Sequence, residues 1–322
     1  MKKGSGSDLK QVFDAYYGER RIETPKATYT LADPIVIDNI RGSFQANWAT
    51  VIPPSGQFAF EVKNGYSYSL NPNGIFRDVI IDGNSRAGKG LLIRDHQGFK
   101  LENAILTDCD VGIQLTSTVS GHFSEGNCAD HVHILAPNVG VEFLGGTGTN
   151  SFMDAVLRDF RVNLTVAGSR ALKFNADVAH CKPHTSVFEK WHIWYKAANT
   201  VGVEVVDDAS YVTQLWHSVF RNFMNECYDV GGTAIGMKFG TSLDAAQKIH
   251  FEPMPYFIVT SGGVYSKRIS NPNNKCLGDG IGCLNDNGFI TWTPDGTKIY
   301  RTYVSNAGAV TPVDITASYD NN

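Results

Sequence analysis

The stretch Phe76-Arg77-Asp78-Val79 is the first copy of a pattern that recurs six times before Phe239. Each copy has an apolar residue, a variable residue, a polar residue (mostly Asp or Asn) and a second apolar residue. Their polar residues are Asp78, Asn103, Asp130, Asp159, Lys190 and Asn222, which are 25, 27, 29, 31 and 32 residues apart. A repeat of this length indicates stacked supersecondary units that share one core.

A second short phrase follows each copy and begins with glycine in all but one case. The six phrases begin at Gly90, Gly112, Gly140, Ala171, Gly202 and Gly236. Apolar and polar residues alternate in them as in strands, and no helical period is present. The repeat therefore predicts an all-β fold, a right-handed parallel β-helix, with residues 22–240 forming its coils.

The segments on either side of the coils lack this period. Residues 8–17 carry apolar side chains at helical spacing, with Asp8 available as N-cap. We expect residues 1–21 to form a tail and a short helix that covers the open end of the β-helix. From about residue 241 the chain is broken by Pro, Gly and Asn, and then alternates as strands around a turn at 294–297. Residues 241–322 are predicted to form a small C-terminal β region for capping or trimerisation.

Composition argues against several classes of protein. The net charge is −4 and there is no basic block, so nucleic acid is not indicated as a partner. No apolar run approaches the ~20 residues of a membrane helix, and none follows Met1-Lys2-Lys3 as in a signal peptide. The six cysteines form no CxxC pair and no Cys/His grouping with zinc-site spacing. We predict no metal, no cofactor and no membrane insertion.

Aligning the coils converts the sequence into columns, because neighbouring parallel strands lie about 4.8 Å apart. The Asp/Asn column is interpreted as a turn ladder, and the column before it as exposed charges. The second phrase gives an outward column of Leu92, Gln114, Glu142, Lys173, Glu204 and Lys238. Glu142 and Glu204 lie two coils apart, roughly 9.6 Å. Inverting glycosidases hold their carboxyls about 6.5–9.5 Å apart, so this column is either a catalytic pair or a charge ladder neutralised by Lys173.

A third outward set follows the turn column on three successive coils. Its members are Arg161 and Asn163, then His192 and Trp194, then Met224 and Glu226. We expect Glu226 one coil above Trp194, and an exposed indole beside a carboxylate suits sugar recognition. The alternative interpretation is that these aromatic side chains are buried against a loop or a neighbouring subunit. Trp191 aligns with Val79 and Phe160 and is interpreted as core.

The candidate site residues fall into two groups. Candidate acids and bases are Glu142, Glu204, Asp207, Asp208 and Glu226. Candidate sugar contacts are Arg161, Lys173, His192, Trp194, Tyr195 and Trp216.

Both ends of the chain resemble a known family. Thr24-Pro25-Lys26-Ala27-Thr28-Tyr29-Thr30-Leu31, followed by Pro34-Ile35, Gly42 and Thr50-Val51-Ile52, resembles the start of the pectate-lyase-like β-helix domains of bacteriophage tailspikes. Ala27 stands where that family usually has glycine. The run from Pro294-Asp295-Gly296-Thr297 to Thr311 resembles the closing segment of many phage tailspikes and tail fibres.

The resemblance implies a homotrimer in the virion tail, in contact with other tail proteins. It also implies binding and cleavage of a bacterial surface polysaccharide, such as capsule, exopolysaccharide or lipopolysaccharide O-antigen. With the candidate carboxylates, this predicts acid/base glycoside hydrolysis. A non-catalytic receptor-binding tail adhesin and a polysaccharide lyase are the alternatives.

Overall fold

The structure is a computed structural model that covers most of the repeat. It describes the backbone of residues 6–16, 21–38, 40, 42–65, 74–176, 179–207, 211–227, 234–238, 250–252, 256–259, 281–283, 289–292, 299–304 and 310–314. Side chains are described from Leu9 to Lys238 within those ranges, except at residues 15, 16, 207 and 227.

The described elements are one helix and 24 strands. In chain order they are α1 (Gly6–Tyr16), β1 (Arg21–Glu23), β2 (Thr28–Thr30), β3 (Ile35–Asp38), β4 (Ser43–Ile52), β5 (Phe58–Lys63), β6 (Ile75–Asp82), β7 (Lys89–Arg94), β8 (Lys100–Thr107), β9 (Val111–Thr116), β10 (Cys128–Leu135), β11 (Val139–Leu144), β12 (Val156–Leu164), β13 (Arg170–Ala176), β14 (Val187–Tyr195), β15 (Val201–Asp207), β16 (Val219–Arg221), β17 (Met224–Cys227), β18 (Ile235–Lys238), β19 (His250–Glu252), β20 (Tyr256–Val259), β21 (Ile281–Cys283), β22 (Phe289–Trp292), β23 (Ile299–Val304) and β24 (Val310–Asp314).

Two parallel sheets run along the solenoid. The first sheet follows the order β1-β4-β6-β8-β10-β12-β14-β16-β19, with β2 beside β4, and β17 between β14 and β20. The second sheet follows the order β18-β15-β13-β11-β9-β7-β5-β3. Strands alternate between the sheets along the chain, so each coil adds a strand to both, and such crossovers are right-handed. The predicted right-handed parallel β-helix is confirmed.

Each coil of the repeat bends at one residue of the first sheet. The bend residues are Asp78, Asn103, His131, Asp159, Lys190 and Asn222, with φ between 53° and 59°. Asn and Asp tolerate this left-handed conformation better than most residues, which explains the polar column of the repeat. The bend divides the first sheet into two outward faces.

One member of this column was predicted wrongly. The bend in the third coil is at His131, and Asp130 precedes it. Ala129 pairs with Leu101 and Leu157 in the lumen, so the repeat in this coil begins at Ala129, one residue later than the sequence pattern indicated. Asp130 therefore lies in the column of exposed charges, where it forms an ion pair with Arg158 at 2.5 Å.

Aromatic side chains fill the lumen. Phe160, Trp191 and Phe223 stack with their rings nearly parallel, at centroid distances of 4.4 and 5.6 Å. The prediction that Trp191 belongs to the core is confirmed. At the N-terminal end, Leu9 and Phe13 of α1 are 1% exposed, and Phe13 packs 4.8 Å from Phe44. The helix covers the first coil as predicted.

The glycines of the second phrase allow neighbouring strands to approach closely. A Cβ atom on Gly112 would lie 2.5 Å from the carbonyl oxygen of Gly140 on the next coil. No real Cβ atom tolerates that distance to backbone, so the glycine column reflects packing between coils.

Beyond residue 238 the described strands fall into two groups. β19 and β20 continue the first sheet through Val259, past residue 240, where the sequence pattern ends the coils. β21 to β24 form an antiparallel sheet, as expected for the C-terminal β region. The domain boundaries themselves stay a prediction. None of the described helical residues forms a segment long and apolar enough to cross a membrane.

Candidate functional site

The predicted outward column of the second sheet is present in the observed register. Gln114, Glu142, Lys173, Glu204 and Lys238 are direct neighbours on successive strands. The column therefore places Glu142 and Glu204 two coils apart, on either side of Lys173. Their surroundings decide which of the two interpretations of this column holds.

Both carboxylates are buried and fully engaged. Glu204 is 5% exposed, and its oxygens accept hydrogen bonds from Arg170 Nε at 2.5 Å and Lys238 Nζ at 2.9 Å. Burial alone would raise the pKa of Glu204, but the hydrogen bonds from Arg170 and Lys238 outweigh it and hold the pKa below its ordinary value. An acid held ionised in this way is a poor proton donor.

Glu142 is held by three partners. It is 6% exposed and accepts hydrogen bonds from Gln114 Nε2 at 2.6 Å and Asn175 Nδ2 at 3.0 Å. Lys173 Nζ lies 3.4 Å from its Oε1, the oxygen that also accepts from Asn175. With Lys173 committed to Glu142, and Arg170 and Lys238 to Glu204, the geometry favours the charge ladder over the catalytic pair.

A different surface carries the exposed aromatic and charged side chains. On the first sheet, after the bend, His133, Arg161, His192 and Met224 align on β10, β12, β14 and β17. Beside them, Asn163, Trp194 and Glu226 align on β12, β14 and β17. We call the surface formed by His133, Arg161, Asn163, His192, Trp194, Met224 and Glu226 the tryptophan face. The predicted position of Glu226 one coil above Trp194 is observed.

Alternation along the strands makes these side chains point outward. In β14, Trp191, Ile193 and Tyr195 are buried in the lumen, while His192 and Trp194 between them are partly exposed. The period of two residues in a strand produces this division. The half-buried indole of Trp194 packs against the His192 ring, with centroids 3.8 Å apart.

The electrostatics of the tryptophan face are set by histidines and carboxylates. His192 Nε2 lies 3.2 Å from Glu226 Oε1, and the Glu226 side chain is 17% exposed. At the bend, His131 also lies beside a carboxylate, with its Nδ1 2.7 Å from Asp159 Oδ2. Burial lowers the pKa of His133, and the nearby Arg161 and His131 lower it further. The tryptophan face thus carries imidazoles, one guanidinium and one carboxylate beside the half-buried indole of Trp194 on successive coils.

The remaining predicted site residues lie elsewhere. Tyr195 is 0% exposed, and its hydroxyl donates to Asn225 Oδ1 at 2.6 Å inside the lumen, so its prediction as a sugar contact is wrong. Trp216 lies in the loop before β16 and stacks on His184, with ring centroids 4.6 Å apart. It is not part of the tryptophan face. The side chains of Asp207 and Asp208 lie outside the described residues.

The sequence analysis missed His133. It belongs to the same column as Arg161 and His192, but the one-residue error at Cys128 concealed this alignment. Matching Ala129, instead of Cys128, with Leu101 and Leu157 would have found it. Among the described residues, no group of three His, Cys, Asp or Glu side chains is arranged to hold a metal ion.

Comparisons with known proteins give remote structural similarities. No protein-family model matches the chain, and no curated protein matches it. The ORF18 protein of Geobacillus virus E2 is similar at 12% identity and a TM-score of 0.37, over 96% of this chain and 72% of its own. The enzymatically active domain of bacteriophage CBA120 tailspike protein 2 is similar at 12% identity and a TM-score of 0.40, over 89% of this chain.

A third similar structure is PfbA, a surface adhesin of Streptococcus pneumoniae. Its identity is 10% and its TM-score 0.34, over 95% of both chains. The present chain spans only 48% of the CBA120 tailspike domain. At these identities and TM-scores the comparisons carry no inference about activity, and the fold assignment rests on the strand register described above.

Proposed function

We propose that this chain is a tailspike-like protein that binds a bacterial surface polysaccharide along the tryptophan face and hydrolyses it there. The observation that carries the proposal is the juxtaposition of Trp194 and Glu226 on adjacent coils of an outward face. A half-exposed indole offers a flat apolar surface to a sugar ring, while the neighbouring carboxylate accepts hydrogen bonds from hydroxyl groups. As the family resemblance implies, the protein would act from a virion tail as a homotrimer.

Glu226 is the acid/base group that we assign to this reaction. Its side chain is 17% exposed, against 8% for Glu142 and 6% for Glu204, and His192 Nε2 lies 3.2 Å from its Oε1. Glycoside hydrolysis requires a second carboxylate. Asp207, the last residue of β15 in the second sheet, and Asp208 after it stay candidates for that role from the sequence alone.

Binding without cleavage is the second candidate function. The observation in its favour is that the carboxylates of Glu142 and Glu204 both form ion pairs within the protein. Glu226 is the one carboxylate among the described side chains that form the tryptophan face. A receptor-binding protein needs the indole, the imidazoles and the guanidinium, but no second acid.

Incubation with purified capsule, exopolysaccharide and lipopolysaccharide tests the proposal. New reducing ends without ultraviolet absorbance indicate hydrolysis, added absorbance from an unsaturated sugar indicates a lyase, and binding with neither indicates an adhesin. We expect Glu226→Gln to lower hydrolysis about 100-fold or more, with binding retained, because general acid/base catalysis contributes about 10²–10⁴-fold.

Glu189→Gln is the matched control for this variant. Glu189 lies on the adjacent strand β14, on the other side of the bend, and its substitution should leave the rate unchanged. Full activity in Glu226→Gln would remove Glu226 from the mechanism. Absence of binding to every surface polysaccharide of susceptible hosts would contradict the proposed function as a whole.

A further inference from the structure

Three side chains that carry or accept positive charge form one line along the tryptophan face. His133, Arg161 and His192 are direct register neighbours on three successive strands, β10, β12 and β14. Their backbones are therefore about 4.8 Å apart from one strand to the next. Apolar residues bound the line, Ile105 before it and Met224 after it.

Arg161 lacks the carboxylate partner that six other described arginines of the solenoid have. Six described arginines lie within ion-pair distance of a carboxylate: Arg21, Arg77, Arg86, Arg94, Arg158 and Arg170. Arg161 is exposed, and among the side chains that the structure describes no carboxylate lies within that distance of it. Its guanidinium is therefore available to an external anion.

Two carboxylates in this part of the sheet lie close to histidines. Asp159, two residues before Arg161 on the same strand, lies 2.7 Å from His131. Glu226, two coils away from Arg161, lies 3.2 Å from His192. The face therefore separates the cationic Arg161 from the carboxylate of Glu226.

Resting on the proposed function, we infer that Arg161, flanked by His133 and His192, binds a carboxylate of the polysaccharide, so that the substrate is an acidic glycan. A guanidinium binds a carboxylate through two parallel hydrogen bonds, and such charge-assisted bonds are the strong ones. The flanking imidazoles add donors on either side of it. Trp194, in the neighbouring column, packs against the ring of an adjacent sugar.

Binding to paired polysaccharides tests this inference. The probes are polygalacturonate, alginate, hyaluronan and polysialic acid, each compared with its carboxyl-reduced, neutral derivative, together with dextran and a phosphate-bearing teichoic acid. We expect binding to at least one carboxylate-bearing chain, weakened about ten-fold or more by carboxyl reduction. Arg161→Gln should weaken the same binding by a similar factor.

Arg158→Gln is the matched control, because it removes the same charge from the same strand. Arg158 faces the other side of the bend and is paired with Asp130. An equal loss in Arg158→Gln, or no loss in Arg161→Gln, would overturn the inference in favour of non-specific charge attraction. Preference for teichoic acid over every carboxylate-bearing chain would also overturn it.

The outcome also separates this inference from the function it rests on. Binding to dextran or to the carboxyl-reduced chains through Trp194, without binding to any acidic chain, would contradict the role of Arg161 and leave the proposed function standing. Binding to none of the probes and to no host polysaccharide would contradict both the role of Arg161 and the proposed function.

Discussion

Replacing Trp191 with alanine is expected to lower the free energy of unfolding by about 3–5 kcal/mol, the range for removing a large aromatic side chain from a core. Trp191 is fully buried between Phe160 and Phe223, and its indole Nε1 donates to the carbonyl oxygen of Leu157 at 3.1 Å. The substitution leaves a cavity between the rings of Phe160 and Phe223 on the neighbouring coils. Because each coil contacts only its neighbours, the cavity cannot be filled from elsewhere.

Urea unfolding followed by circular dichroism measures this loss, and two variants serve as controls. Trp191→Phe keeps a planar ring between Phe160 and Phe223, and we expect it to cost only about 1–2 kcal/mol. Trp194→Ala, three residues along the same strand but on the outward face, should change the stability by less than about 1 kcal/mol. If Trp194→Ala proved as costly as Trp191→Ala, the assignment of inward and outward positions in β14 would be wrong.

Arg170→Met is expected to lower the free energy of unfolding by about 3–5 kcal/mol at neutral pH, since it leaves a buried carboxylate without its main partner. Glu204 is 5% exposed, and Arg170 Nε contacts its Oε2 at 2.5 Å. Lys238, the remaining partner, has a side chain that is 49% exposed, so solvent weakens its contribution. Burial then dominates, and the pKa of Glu204 rises in the variant.

The pH dependence of the two proteins should differ in sign at this site. In the wild type the pKa of Glu204 is lowered in the folded state, so its stabilising contribution is present above the ordinary glutamate pKa of about 4.3. That contribution is lost as the pH falls through the lowered folded-state pKa. In Arg170→Met the carboxylate is destabilising when charged, so the gap between the two proteins should narrow as the pH falls and Glu204 is protonated.

The double variant Arg170→Met with Glu204→Gln is the control for this mechanism. It removes the buried charge together with its partner, and it should recover most of the stability lost in Arg170→Met. Thermal unfolding of the single and double variants between acidic and neutral pH measures both effects. A loss that is independent of pH, or that persists in full in the double variant, would contradict the buried ion pair.

The fold could be predicted from the sequence because each position of the repeat has a residue type that suits one structural role. Most inward positions of the coils are Phe, Leu, Ile or Val, glycines mark where strands approach closely, and Asn or Asp occupies four of the six left-handed bends of the repeat. The third coil was aligned one residue too early because Ala129 occupies a position that is Leu in the coils before and after it. Cys128 was the larger apolar residue and was matched instead.

The site could be predicted only in part. Alternation placed His192, Trp194 and Glu226 on one outward face, since that depends on strand period and register alone. The ion pairs of Glu204 could not be predicted, because Arg170 lies at the start of β13 and reaches Glu204 on the next strand through a long, flexible side chain. Tyr195 illustrates a related limit, as its partner Asn225 comes from the following coil.

The most direct measurement is the affinity of Trp194→Ala for the host polysaccharide, determined by isothermal titration calorimetry beside Trp48→Ala. Trp48 is 40% exposed in β4, five strands away along the first sheet, and serves as the control for loss of an exposed indole elsewhere. We predict that Trp194→Ala weakens binding about ten-fold or more, since stacking surfaces of this kind dominate recognition, while Trp48→Ala binds as the wild type does. Unchanged affinity in Trp194→Ala would contradict recognition on the tryptophan face.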